Sequence, residues 1–203
     1  MTFPNFSFES AAINQSHTLI CGIDEAGRGP WAGPVVAGAV ILDPKNIPRG
    51  LNDSKKLNEA KREILFDPIM QSSHVGIGIV SATEIDEINI LQATFLAILR
   101  AFAQLEITPD LALIDGNKSP KLNCKTQTII GGDAKSLSIA AASIIAKVTR
   151  DRIMHQHDET YPLYGFARHK GYGTAAHAAA LAIHGPCAEH RKSFKPIALI
   201  LSR

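Results

Sequence analysis

The absences in this chain narrow the field before its motifs do. It has only three cysteines, Cys21, Cys124 and Cys187. They are odd in number, far apart and without paired zinc spacing, which excludes a disulfide framework or a metal knuckle and leaves reduced thiols. No apolar run is long enough to span a bilayer. Residues 1–16 carry acid and polar side chains where a secretory leader needs a basic and then an apolar stretch. A cytoplasmic protein with no membrane contact is expected. There is no internal repeat or low-complexity linker, so residues 18–203 are expected to form one domain behind a loosely ordered lead-in at 1–17. A nucleotide phosphate loop is also missing. Gly131-Gly132-Asp133-Ala134-Lys135-Ser136 ends in Lys-Ser, but Ala134 stands where that motif needs glycine and residue 129 is Ile.

What is present begins with a short apolar run, Leu19, Ile20, Cys21 and Ile23, closed by Asp24 and Glu25 and then by a loop holding Gly27, Arg28, Gly29, Pro30, Gly33 and Pro34. Such a run bounded by glycine and proline reads as a buried strand. Two adjacent carboxylates at its end repel each other and are costly to bury unpaired, so they call for a cation. Oxygen ligands alone suit Mg²⁺ or Mn²⁺.

Further strands are expected at Val35–Leu42, His74–Val80, Leu111–Ile114 and Thr126–Ile130. Helices are expected from Asn58 to Pro68, along a stripe of Ile88, Leu91, Phe95, Ile98, Leu99, Phe102 and Leu105, over Ser138–Met154 and over Ala175–Ile183. Strands alternating with helices give an α/β fold with a mixed sheet. Asp115 and Asp133 repeat the pattern of Asp24, each following an apolar strand or its glycine exit. A lone strand-end Asp is usually a turn residue or a cap. Four acids at strand ends can instead converge where a sheet opens to solvent. Without histidine or cysteine partners they suit hard cations on phosphate oxygens, and a pair of such ions serves phosphodiester cleavage.

Gly27 and Gly29 allow the backbone close to a phosphate or sugar, and Arg28 adds a charged fork. Tyr172, within Lys170-Gly171-Tyr172-Gly173, is placed to stack on a sugar or base, whereas Tyr161 and Tyr164 read as loop anchors. Net charge is +2, unevenly spread. Residues 1–160 hold 15 Lys/Arg against 18 Asp/Glu, and residues 161–203 hold 6 against 1. A basic tail on a near-neutral body points to a polyanion.

With those residues in view, the chain resembles the type 2 ribonuclease H family, bacterial ribonuclease HII. The matching stretches run in order from Gly22-Ile-Asp-Glu-Ala-Gly-Arg-Gly-Pro through Asp53-Ser-Lys-Lys-Leu, Ile114-Asp-Gly-Asn, Gly132-Asp-Ala-Lys and Ala141-Ala-Ser-Ile-Ile-Ala-Lys to Gly171-Tyr-Gly-Thr and His190-Arg-Lys-Ser-Phe. The resemblance implies a ribonuclease H-like fold, a central five-stranded mixed sheet flanked by helices with a helical C-terminal segment, in which the first and fourth strands lie side by side. It implies catalysis by Asp24, Glu25, Asp115 and Asp133, with Mn²⁺ or Mg²⁺ held by Asp24, Glu25 and Asp115. Gly27, Arg28, Gly29 and Tyr172 would bind an RNA–DNA hybrid or a ribonucleotide-containing duplex, and the expected state is a monomer. The length suits this branch better than ribonuclease HIII, which carries an extra N-terminal domain. Two rivals are a non-catalytic hybrid-binding module and a two-metal nuclease of integrase or resolvase type.

Overall fold

The computed structural model describes residues 3–202. Its centre is a sheet of β1 (Ile20–Ala26), β2 (Val35–Leu42), β3 (Ser73–Val80), β4 (Leu111–Asp115) and β5 (Lys125–Ile129) in the order β3-β2-β1-β4-β5. β1 pairs antiparallel with β2 and parallel with β4. β2 and β3 are antiparallel, and β4 and β5 parallel. The expected mixed sheet of five strands, with the first and fourth adjacent, is therefore present.

The helices are α1 (Ser7–Ile13), α2 (Glu59–Ser72), α3 (Ala82–Ala103), α4 (Leu137–Thr160), α5 (Phe166–His169), α6 (Ala175–His184) and α7 (Lys195–Leu201). None is long and apolar enough to cross a membrane. α4 covers one face of the sheet, where Val40 and Leu42 pack with Ala141, Ile144, Ile145 and the α2 residues Leu65, Phe66 and Ile69. The other face packs Ile23, Ala37, Ala39 and Ile114 against Ala93, Ala97, Ile98 and Ala101 of α3. Both helices lie very close to the strands. A Cβ at Gly22 would overlap the Ser138 carbonyl carbon, and one at Gly78 the carbonyl oxygen of Ala97.

That closeness corrects the expected face of α3. Ala93, Ala97, Ile98 and Ala101 are buried, whereas Leu99 is exposed and Leu91, Phe95 and Phe102 lie at the edges. Only small side chains fit over the strand glycines. α3 is also broken at Asn89 (φ 65°, ψ 163°), whose Oδ1 accepts from the backbone N–H groups of Leu91 and Gln92 and so starts the second segment. Leu105 lies beyond the helix. α2 runs through Pro68 to Ser72. Pro68 and Ile64 both lie on the exposed face, where water can take up the carbonyl bond that proline cannot donate to.

The lead-in is ordered at its centre, where sequence periodicity gave no sign of a helix. α1 buries Glu9, which accepts from the Ser136 hydroxyl (2.6 Å) and the Ser138 N–H (2.9 Å) at the start of α4. The stretch that holds Tyr161 and Tyr164, read as loop anchors, continues into the short α5.

Candidate active site

β1 continues through Asp24 and Glu25 to Ala26, so the acids lie within the strand rather than after it. Alternation then sends them to opposite faces. Asp24 shares the α4 face with Gly22, and Glu25 shares the α3 face with Ile23. The β1–β4 register pairs Ile23 with Ile114, and one step further sets Asp24 beside Asp115. Asp133 arrives from a single 3-10 turn, Gly132–Ala134, entered through left-handed Gly131 (φ 64°). The Gly132 N–H donates to Asp115 Oδ1 at 2.6 Å, tying that turn to the end of β4.

Carboxylate oxygens of Asp24, Asp115 and Asp133 lie within 4.8 Å of one another. Glu25 stands outside this group; its Oε1 accepts from Arg28 Nη1 at 3.3 Å. Asp133 thus clusters with Asp24 and Asp115, and Glu25 lines the same cleft as those two. Asp24 is 4% exposed and Asp133 5%. Burial, then the charges of Glu25 and Asp115, hold the Asp24 carboxyl well above the usual carboxylate range. Burial also raises Glu25, against the opposing pull of Arg28. Asp133 is raised by burial and by Asp115. Lys55 Nζ donates to Asp133 Oδ2 at 3.3 Å. Burial pulls the ammonium of Lys55 down, but Asp133 and Asp24 outweigh it and raise it.

Three crowded aspartates, Asp24 and Asp133 buried and Asp115 half-buried, with oxygen donors only, fit a divalent hard cation: the mutual repulsion is what such an ion offsets. A cleft of about 240 Å³ opens beside them, lined by Asp24, Glu25, Asp115, the Gly27–Gly29 loop, Lys55, Lys147 and Tyr172. A larger cavity of about 510 Å³ lies at the opposite end of the sheet, by Glu9, Ile20 and Leu42, away from the acids. The chemistry points to the smaller one.

The structure places Gly27, Arg28, Gly29 and Tyr172 around that cleft. Arg28 and the Tyr172 ring both reach solvent. Sequence reasoning missed what holds them. Arg191, read as part of a basic tail that points to a polyanion, is 0% exposed and donates to the carbonyls of Gly27, Arg28, Gly33 and Pro34. Arg150, also buried, donates to the carbonyls of Ala32, Pro34 and Lys170. Among the described residues neither faces a carboxylate within ion-pair distance. Burial lowers Arg150 to about 10 and Arg191 to about 9, so both stay charged at neutral pH. His169, Lys170, His177 and His190 are buried as well, leaving Arg168, Lys192 and Lys195 as the exposed cations of the tail among the described residues. The alternation of charge in a basic run carries no signal that separates these two groups. Lys55 and Lys147 face the cleft too; only their motifs, and no spacing rule, marked them.

The family model of ribonuclease HII matches residues 21–197. The chain belongs to the ribonuclease HII family. It is an enzyme, a hydrolase of the ribonuclease H type. It is 55% identical to ribonuclease HII of Parvibaculum lavamentivorans over 98% of this chain and 74% of that one. It is 54% identical to ribonuclease HII of Magnetococcus marinus over 98% and 95%. Among solved structures it superposes on the ribonuclease H2 of Pyrococcus horikoshii with a TM-score of 0.77 at 30% identity, covering 92% of this chain and 98% of the other. It also shares its fold with Bst-RNase HIII, solved in complex with Mn²⁺ (TM-score 0.74, 19% identity, 91% and 69% covered).

Proposed function

We propose that this ribonuclease HII family member is a metal-dependent endonuclease that hydrolyses the RNA strand of RNA–DNA hybrids. It also cuts on the 5′ side of ribonucleotides embedded in duplex DNA, leaving 3′-hydroxyl and 5′-phosphate ends. Its role is ribonucleotide removal from DNA, and it works as a monomer in the cytoplasm. The observation that carries the reading is a cleft where Asp24 and Asp115, clustered with Asp133 beside it, meet a Gly-Arg-Gly loop and an exposed tyrosine.

Asp24, Glu25 and Asp115 would hold Mg²⁺ or Mn²⁺, with Asp133, which clusters with Asp24 and Asp115, completing the site; Mn²⁺ in the structure of a fold neighbour supports the class of ion. When bound, such an ion offsets the acids' charge and supplies Lewis-acid assistance to displacement at phosphorus. The protein's own groups do the reading. Backbone at Gly27 and Gly29 approaches the ribose closely enough to sense a 2′-hydroxyl, the group that distinguishes RNA from DNA. Arg28 meets the phosphates, and Tyr172 stacks on the neighbouring sugar or base. Lys55 and Lys147 add positive charge toward the backbone.

The test is cleavage of a duplex carrying one ribonucleotide beside an all-DNA control, with product ends mapped. Cutting of the first alone, 5′ to the ribonucleotide and dependent on added Mg²⁺ or Mn²⁺, is expected. Equal cutting of both duplexes, or none with either ion, would overturn the proposal.

A further inference from the structure

Beneath Tyr172 lies a buried group of imidazoles that the proposed chemistry does not use. His177 and His190 are 0% and 1% exposed, and their Nε2 atoms lie 2.9 Å apart. The Cys187 backbone N–H donates to His190 Nδ1 at 2.9 Å. His177 Nδ1 lies 3.0 Å from the Tyr172 carbonyl. These bonds admit one arrangement of protons. Because a backbone N–H occupies Nδ1 of His190, its neutral ring carries hydrogen on Nε2 and donates to His177. His177 Nε2 is then the acceptor, and its Nδ1–H donates to the Tyr172 carbonyl. His169, stacked on His177 with centroids 4.4 Å apart, is fixed in the same way. The Gly171 N–H donates to its Nδ1, and its Nε2–H donates to the Tyr164 carbonyl.

We propose that His190 and His177 are positioning residues: a directed relay of neutral imidazoles runs from Cys187 to the carbonyl of Tyr172 and fixes the ring of Tyr172 over the cleft. The proposal rests on the reading of Tyr172 as a substrate contact. The mounting is rigid at both ends. His177 sits in the first turn of α6, where its own N–H donates to the capping hydroxyl of Thr174. The Thr174 N–H donates to the Tyr172 carbonyl as well. On the far side the Trp31 N–H bonds the Gly171 carbonyl, and a Cβ at Gly173 would overlap the Trp31 ring. Protonating either relay histidine would turn a pair of facing nitrogens into two donors. Around the relay, the titratable neighbours are His169 from α5, His184 and Tyr164 beyond His190, and the Cys187 thiol at 3.2 Å; Trp31 and Phe166 complete the shell without charge.

Two experiments test this on the whole chain. Nitrogen-15 NMR of the imidazoles at pH 7 should show His177 as the Nδ1–H form and His190 and His169 as Nε2–H forms; His177 as Nε2–H overturns the relay without reference to activity. Steady-state cleavage of a duplex with one ribonucleotide then separates the relay from the reading beneath it. H177F, which keeps a ring but no donor, should raise KM about three- to tenfold, the worth of one hydrogen bond, with kcat little changed. H177N, which keeps a donor near the Nδ1 position, should recover most of that loss. In a Y172A background the H177F effect should disappear, because the two act as one unit. If Y172A alone leaves KM unchanged, the substrate role of Tyr172 fails and the relay's purpose with it. If Y172A raises KM but H177F does not, or the two effects add in full, the relay alone is overturned.

Discussion

At the scale of single residues, the aspartate cluster is held in a state that a cation relieves. Asp24→Asn should lower turnover by at least about 100-fold, in the range seen when one preorganised electrostatic group is lost, while circular dichroism and the thermal midpoint in chelator stay the same or improve, since one buried charge is gone. Mn²⁺ should raise the midpoint of the unaltered protein and do so far less for Asp24→Asn or Asp115→Asn. Arg191 makes the opposite case. Arg191→Lys should be nearly as damaging to KM as Arg191→Ala, because an ammonium cannot replace a fork that reaches the carbonyls of Gly27, Arg28, Gly33 and Pro34 at once. A lysine at this position that kept normal KM would contradict the bracing role. Asp24, Asp115 and Asp133 were legible in the sequence because each ends an apolar run. Arg191 was not, because a cation without an acidic partner reads as solvent-facing, and its actual partners are main-chain carbonyls common to every residue.

At the scale of elements, β2 and the capping of α3 could be read from the chain, because their causes are local. Ser81 accepts from the Glu84 N–H while Glu84 bonds back to Ser81, a reciprocal cap spelled out in four residues. Ser81→Ala should destabilise by about 1 kcal/mol in urea denaturation. The buried face of α3 could not be read, because alanine wins over leucine there only when glycines on another strand bring the backbone close. Gly78→Ala should therefore destabilise more than the cap variant does, by about 2 kcal/mol or more, through overlap with the Ala97 carbonyl. The segment from α5 to α7 carries the pH dependence. Burial lowers His177 and His190 to about 4, below the 6.5 of a free imidazole. The unfolded chain takes up protons first, so their contribution is whole above about pH 6.5 and is lost as pH falls toward 4, by at most about 1.4 kcal/mol per pH unit for each ring. In chemical denaturation between pH 7 and 4.5, the unaltered protein should lose stability relative to His177→Asn as pH falls, the raised acids of the cleft contributing alike to both.

For the whole molecule, the two ends of the chain attach to the sheet in different ways. α1 is docked at the start of α4 by Glu9, about the large cavity and away from the acids. Replacing Glu9 with alanine should destabilise the protein by about 1–3 kcal/mol, the penalty for stranding a buried donor, yet leave KM unchanged below the melting temperature. The C-terminal segment is attached to the reading surface itself. The Pro34 carbonyl, at the start of β2, receives Arg150 Nε at 2.9 Å and Arg191 Nη2 at 3.1 Å, the latter from 157 positions further along. A chain grown only to the end of α6 already holds every acid of the cleft and the Arg150 clamp on Pro34, and lacks the second guanidinium that closes on the carbonyls of Gly27 and Arg28. The glycine loop beside the cleft thus takes its final bracing from a side chain made after all the acids it borders.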